Sequence, residues 1–155
     1  MDQTDAAVKH VTLITTGGTI EKTYDESDGT LYNRESVIKK IILKGLRLPY
    51  TYLHVFSILN KDSLQMTDYD RSLLAKTLKV QMEKGNPIVV LHGTDTMSKS
   101  AANCLEEIPN PSVPIVFTGA MKPMGFEDSD ARQNVTEALL ASKILQAGVY
   151  ISFHN

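Results

Sequence analysis

Five short apolar runs rich in β-branched residues punctuate the chain. They are HVTLIT (10–15), YLHVFSIL (52–59), PIVVLH (87–92), PIVFTG (114–119) and GVYISF (148–153). Most lack strict apolar–polar alternation, which is the pattern of a strand covered on both faces in a parallel sheet. Between the runs lie helical patterns. Arg34–Leu43 predicts a short helix ending near Gly45. Thr67–Lys84 predicts a longer one, with Thr67 as its cap, acids in its first turn and Gly85 just past its end. Leu74, Leu78 and Met82 share one face of it, while Lys76, Lys79 and Glu83 fall toward water. Met97–Ile108 and Asp130–Ala147 complete the set, the last with Val135, Leu139, Ser142 and Leu145 on one side. Met66 and Met97 read as core filler.

Strand and helix in repeated alternation predict an α/β fold. The expected form is three-layered and flavodoxin-like: a doubly wound, mostly parallel sheet with helices on both faces. The length of 155 residues predicts one domain spanning 1–155. Thr19–Asn33 is the exception to the periodic pattern, a run of Glu, Lys, Asp, Ser, Thr and Gly with no clear period. A loop of that length predicts a lid or binding loop, here over the crevice at the carboxyl ends of the strands.

Composition then narrows the classes. Sixteen basic and eighteen acidic residues nearly cancel, and no basic stripe appears. Neither nucleic acid nor an anionic membrane surface is an expected partner. The single cysteine, Cys104, has no internal partner for a disulfide, and its apolar helical setting reads as packing. Cysteine and histidine are too scattered for a zinc site, so no metal is expected. No apolar run approaches the roughly 20 residues that span a bilayer, and MDQTDAAVKH has no apolar signal core. The expectation is a soluble, cytoplasmic protein.

Three polar motifs follow predicted strands: TTGGT after the first, NKDSLQMT after the second and HGTDT after the third. In open α/β sheets these ends converge on a ligand crevice. The pair Gly17-Gly18 fits neither G-x-x-x-x-G-K-[ST] nor G-x-G-x-x-G opening into a helix. Glu21, Asp25, Glu26 and Asp28 follow it, so a phosphate would meet negative charge. The glycines read either as a mount that turns Thr19 toward the crevice or as a tight turn whose threonine bonds its own backbone. Gly93, Thr94, Asp95 and Thr96 read either as a turn and helix cap or as two hydroxyls flanking a carboxylate that binds a substrate ammonium. His92 reads as a packed strand-end histidine. Ser63 and Gln65 offer hydroxyl and amide donors from a polar loop, and Lys122 in TGAMKP (118–123) reads as a loop charge.

Taken together, TGGTI (16–20), DSLQMT (62–67), HGTDTM (92–97), TGAMKP (118–123) and SDARQN (129–134) resemble the amino-terminal domain of the threonine-nucleophile L-asparaginase/glutaminase family, in the family's order. The resemblance implies an amidohydrolase that cleaves L-asparagine, or L-glutamine, through an acyl-enzyme on Thr19. It implies help from a loop tyrosine, matched by Tyr32 through its spacing from Thr19 or by Tyr24. Thr94 and Asp95 match the second reactive pair, with Asp95 also meeting the substrate ammonium. Ser63 matches the residue that binds the α-carboxylate, and Gln65 stands at a neighbouring contact. Gly18, Gly93 and Thr94 would line the substrate, with N–H groups near Gly93 and Thr94 as oxyanion donors. No metal or organic cofactor is implied, and a homodimer or higher homo-oligomer is.

The sequence departs from the family pattern in two places. Glu21 and Lys22 follow TGGTI where small residues are usual. The family's relay lysine falls a short way beyond the strand matching GVYISFHN, and neither Lys99 nor Lys122 aligns with it. The family's carboxyl-terminal domain has no counterpart in residues 1–155. The alternative expectation is an asparagine- or aspartate-binding domain that keeps the crevice without the relay.

Overall fold

The computed structural model describes residues 7–24, 31–33, 40 and 44–155. Five strands form one parallel sheet: β1 (Lys9–Gly17), β4 (Thr51–Lys61), β5 (Ile88–Leu91), β6 (Pro114–Thr118) and β7 (Gly148–Ile151). Their order across the sheet is β4-β1-β5-β6-β7. This is the doubly wound order in which the second strand of the sheet lies outside the first, and its topological switch falls between β1 and β5.

Both faces of the sheet are covered, which is why its strands are apolar without alternation. Successive side chains point to opposite faces, so each strand feeds two cores. On one side Val11, Leu13, Val89, Leu91 and Val116 pack against Ala131, Val135, Ala138 and Leu139 of the last helix. On the other, Ile14, Ile88, Val90, Ile115 and Phe117 pack against Leu74, Leu78, Met97, Ala101 and Cys104. The three helices are α1 (Asp68–Met82), α2 (Met97–Glu107) and α3 (Ala131–Ile144). Cys104 is fully buried, and burial pushes its thiol up to about 12, in keeping with a packing role. Met66 and Met97 are buried as well.

Local signals set the helix ends. Thr67 caps α1 in a reciprocal box: its hydroxyl accepts from Asp70 N–H at 3.2 Å, while Asp70 accepts from Thr67 N–H at 2.8 Å. Gly85 turns the chain beyond α1 with φ of 76°. The last helix stops at Ile144, short of the expected Ala147, because Leu145 already has extended backbone leading into β7. Leu145 is accordingly 37 % exposed, whereas Val135, Leu139 and Ser142 are buried as expected.

The segment after β1 carries more structure than its composition suggests. Thr19–Glu21 forms a 3-10 turn, and β2 (Lys22–Tyr24) pairs antiparallel with β3 (Leu31–Asn33). Each of these strands is three residues long, too short to show a period. Residues 25–30 of the expected lid lie outside the described residues, as does the expected helix Arg34–Leu43 except Lys40.

Candidate active site

The site begins where β1 and β5 end, on the two sides of the switch point. Gly18, with φ of 86°, lies so close to Gly93 that a β-carbon would stand 2.6 Å from Gly93 N. Only glycine meets both demands. Gly93 is in turn packed on Ser63, where an added β-carbon would lie 2.6 Å from both Cβ and Oγ. The three strand-end motifs therefore meet as one wall: Gly18 after β1, Ser63 after β4 and Gly93 after β5.

The glycine turn is closed to phosphate. Gly17 N–H donates to the buried carboxylate of Glu21, and Gly18 N–H donates to Lys61 O at 2.9 Å. An anion cradle needs such N–H groups free and aimed at the ligand. Here both are spent, and one of them faces a negative charge. Thr19, next in the chain, is half-buried, and its hydroxyl meets no hydrogen-bonding partner among the described residues. The reading in which it bonds its own backbone does not hold.

Ser63 opens a 3-10 turn, Ser63–Gln65, capped by the Asp62 carboxylate accepting from Leu64 N–H at 3.3 Å. The Ser63 hydroxyl is buried and without a hydrogen-bond partner among the described residues. The buried hydroxyls of Thr12 and Thr118 are likewise without a partner among the described residues, and that of Ser63 is the one packed against Gly93. Asp62 also pairs with Lys22 at 3.1 Å, and that ammonium holds its carboxyl below the usual carboxylate range. The ion pair ties the turn carrying Thr19 to the turn carrying Ser63. Gln65 is exposed.

Beyond Gly93, Thr94 is partly exposed, and its hydroxyl points to Met121 Sδ at 3.8 Å. A cavity of about 180 Å³ lies beside it, lined by Thr94, Met97, Ser98, Ile151 and Phe153. Asp95 is exposed and stands just before α2. Thr96 does not cap that helix with its side chain. Its hydroxyl instead donates to Ser63 O at 2.9 Å and accepts from Arg71 Nη2 at 3.0 Å.

Arg71 and Ser100 belong to the site's framework and are absent from the motifs. Both are buried, as is His92. The His92 ring donates from Nδ1 to Gly93 O at 2.7 Å and accepts at Nε2 from Ser100 Oγ at 2.8 Å. Burial lowers the His92 pKa, and the Arg71 charge adds to that against the Gly93 bond, so the ring is held neutral. Sequence spacing carries a signal for Arg71: it shares the i, i+3, i+7 stripe with Leu74 and Leu78.

The loop after β6 supports the far side. Asp130 accepts from Met121 N–H at 2.9 Å, Lys122 N–H at 3.1 Å and His154 Nε2 at 2.6 Å. Burial raises its carboxyl, but these bonds outweigh it and hold the group below the ordinary range. Lys122 pairs with Asp128 on the surface, as a loop charge. Tyr24 and Tyr32 stand on adjacent rungs of the short ribbon, opposite Leu31 and Thr23, and β3 runs beside the Thr19–Glu21 turn. The structure thus brings Gly18, Ser63 and Gly93 into contact, with Thr19 and Thr94 next to them in the chain and Asp95 and Gln65 exposed.

Among the described residues no cluster of three or more His, Cys, Asp or Glu is placed to hold a metal ion. None of the helices described is long and apolar enough to cross a membrane.

Several known proteins are similar to this chain. It is 30% identical over 149 residues to a glutamyl-tRNA(Gln) amidotransferase subunit of Methanococcus maripaludis, covering 96% of this chain and 35% of that protein. It is 32% identical over 96 residues to an L-asparaginase of Thermococcus kodakarensis, 62% of this chain and 29% of the other. The solved thermostable L-asparaginase from Thermococcus kodakarensis superposes with a TM-score of 0.81 at 26% identity, over 93% of this chain and 44% of that one. The chain spans about a third of the length of the curated relatives it matches. The family model for the amino-terminal part of asparaginases matches residues 10–155, and on that match the chain belongs to the asparaginase family.

Proposed function

We propose that this domain cleaves the side-chain amide of L-asparagine, giving L-aspartate and ammonia. The observation that carries the reading is the contact of Gly18 on Gly93 and of Gly93 on Ser63, which gathers three strand-end motifs at the switch point.

Thr19 is the attacking group. Its oxygen adds to the amide carbon, the amide nitrogen takes up a proton and leaves as ammonia, and water then cleaves the threonyl ester and restores the hydroxyl. Tyr32, with Tyr24 as the competing choice, assists proton transfer from the ribbon beside Thr19. Thr94 and Asp95 form the second reactive pair, with Asp95 also holding the substrate ammonium. Ser63 receives the α-carboxylate, supported by its unpartnered hydroxyl. Gln65 makes a neighbouring contact, and N–H groups near Gly93 and Thr94 stabilise the oxyanion. A homo-oligomer is part of the same proposal and is read by light scattering.

Ammonia release from L-asparagine tests it, comparing the parent with Thr19→Ala and Thr94→Val. Each variant is expected to lose about 100-fold or more of kcat. A second reading, a binding domain without turnover, is favoured by one observation: among the described residues the Thr94 hydroxyl meets only the Met121 sulfur and no base. A parent that releases no ammonia, yet melts higher with asparagine or aspartate, selects that reading. The relatives named as amidotransferase subunits add a variant of the first reading, in which the nitrogen passes to an acceptor. Ammonia appearing in free solution counts against that variant.

A further inference from the structure

Arg71 is 3 % exposed, yet it meets no carboxylate among the described residues. Its guanidinium is spent on three neutral acceptors. Nε donates to Ser100 Oγ at 3.1 Å, Nη1 to Met66 O at 3.0 Å and Nη2 to Thr96 Oγ1 at 3.0 Å. Buried charges are ordinarily paired, because taking an ion out of water is costly. Three hydrogen bonds hold the fork but place no negative charge beside it among the described residues.

Two relays carry Arg71 to the wall of the crevice. In one, Thr96 accepts from Arg71 and donates onward to Ser63 O at 2.9 Å. In the other, Ser100 accepts from Arg71 and donates to His92 Nε2, and the ring's Nδ1–H holds Gly93 O at 2.7 Å. Both relays are polarised in one sense, with donors running outward from the cation. They end on the two residues, Ser63 and Gly93, that pack directly against each other. At that contact lies the buried Ser63 hydroxyl without a partner.

We infer that Arg71 is a positioning residue whose buried charge, carried through Thr96 and through Ser100–His92, is balanced by the carboxylate of a bound amino acid. The inference rests on the amidohydrolase reading for the place of that ligand. Arg71 does not touch the ligand. It fixes Ser63 and Gly93 and raises the local potential, which solvent screens little beside the buried Ser63 hydroxyl. The carboxylate supplies a negative charge that no described residue places against Arg71. An amino acid therefore binds here as an anion at one end, and the crevice discriminates against ligands without that group.

The test is calorimetric titration of the whole chain with L-aspartate, for the parent, Arg71→Lys, Arg71→Gln and Thr96→Val. Arg71→Lys keeps the charge and loses the fork, and is expected to bind about fivefold more weakly than the parent, as in a cut relay, but more tightly than Arg71→Gln. Arg71→Gln loses the charge and is expected to bind about tenfold more weakly or worse. Thr96→Val keeps shape and charge but cuts one relay, for an expected weakening of about fivefold. Equal loss in Arg71→Lys and Arg71→Gln would overturn the charge role, and parent-like binding by Arg71→Gln would overturn the whole inference. Should an Arg71 variant lose its folded circular dichroism, Thr96→Val decides, with unchanged affinity counting against the inference. A parent that binds neither asparagine nor aspartate overturns the amidohydrolase reading as well, which none of the variant outcomes does.

Discussion

Gly18 and Gly93 touch backbone to backbone: a β-carbon on Gly18 would lie 2.7 Å from Gly93 Cα and 2.6 Å from Gly93 N. Two strands that are neighbours in the sheet are thus locked together at their ends, immediately before Thr19 and Thr94.

The first prediction concerns that contact. Gly18→Ala must hold a side chain at φ of 86° and push against backbone that has no room to yield. The expected loss is about 2–4 kcal/mol, combining left-handed strain with overpacking. Urea denaturation measures it. A loss under about 0.5 kcal/mol would mean that the two loops are not locked together as described.

A second prediction follows from the cap of α1. Burial pushes the Asp70 carboxyl up, but Lys61 at 2.8 Å and the Thr67 amide and hydroxyl outweigh it, so its pKa is lowered. The stability this carboxylate supplies is complete above the unfolded value near pH 4 and is lost as pH falls through the lower folded value. Asp70→Asn should cost about 1 kcal/mol at pH 7, the usual worth of such a cap. The cost should shrink on acidification below pH 4, as chemical denaturation at several pH values would show.

His92 gives a third, with its own window. Its folded pKa is lowered by burial and by Arg71, so the unfolded chain takes up a proton first as pH falls. Stability from this group is complete above the unfolded value near 6.5 and declines below it toward the lower folded value. His92→Asn should be less stable at pH 7 and show a flatter profile between pH 7 and 5. An unchanged slope in that interval would indicate that the ring titrates alike in the folded and unfolded chains.

The ion pair between Lys22 and Asp62 gives the fourth. Its side chains are 23 % and 35 % exposed, so solvent screens it and its removal should cost less than about 1 kcal/mol. Lys22→Met should leave the melting temperature nearly unchanged. It should raise KM for the amide substrate more than it lowers kcat, because it frees the Thr19 turn from the Ser63 turn. Equal falls in kcat and kcat/KM would place Lys22 in the chemistry instead.

Much of the fold is legible in the sequence because burial on both faces leaves a direct trace. Val11, Leu13 and Ile14 are all apolar since the sheet has a core on each side. The helix α1 is bracketed by Thr67 and Gly85, each placed there by a backbone requirement. The β2–β3 ribbon is not legible, since three-residue strands carry no period. The end of β4 is hidden as well: Asn60 and Lys61 are polar, yet Lys61 pairs with Gly17 after a register shift. In the site, the strand-end motifs are visible as glycines and hydroxyls. The framework behind them is less so: Arg71 falls on the Leu74–Leu78 stripe but is a residue type that rarely leaves water, and Ser100 looks solvent-facing until α1 and α2 are packed together. Thr96 reads as a cap until its hydroxyl is seen to be committed to Arg71 and Ser63.

In the proposed reaction Thr19 carries the attacking oxygen. Acid quenching during turnover of L-asparagine, followed by peptide mass spectrometry, reads it most directly. An aspartyl ester is expected on the peptide containing Thr19, and none in Thr19→Ala. An ester on Thr94, or ammonia release by Thr19→Ala at the parent's rate, would contradict it.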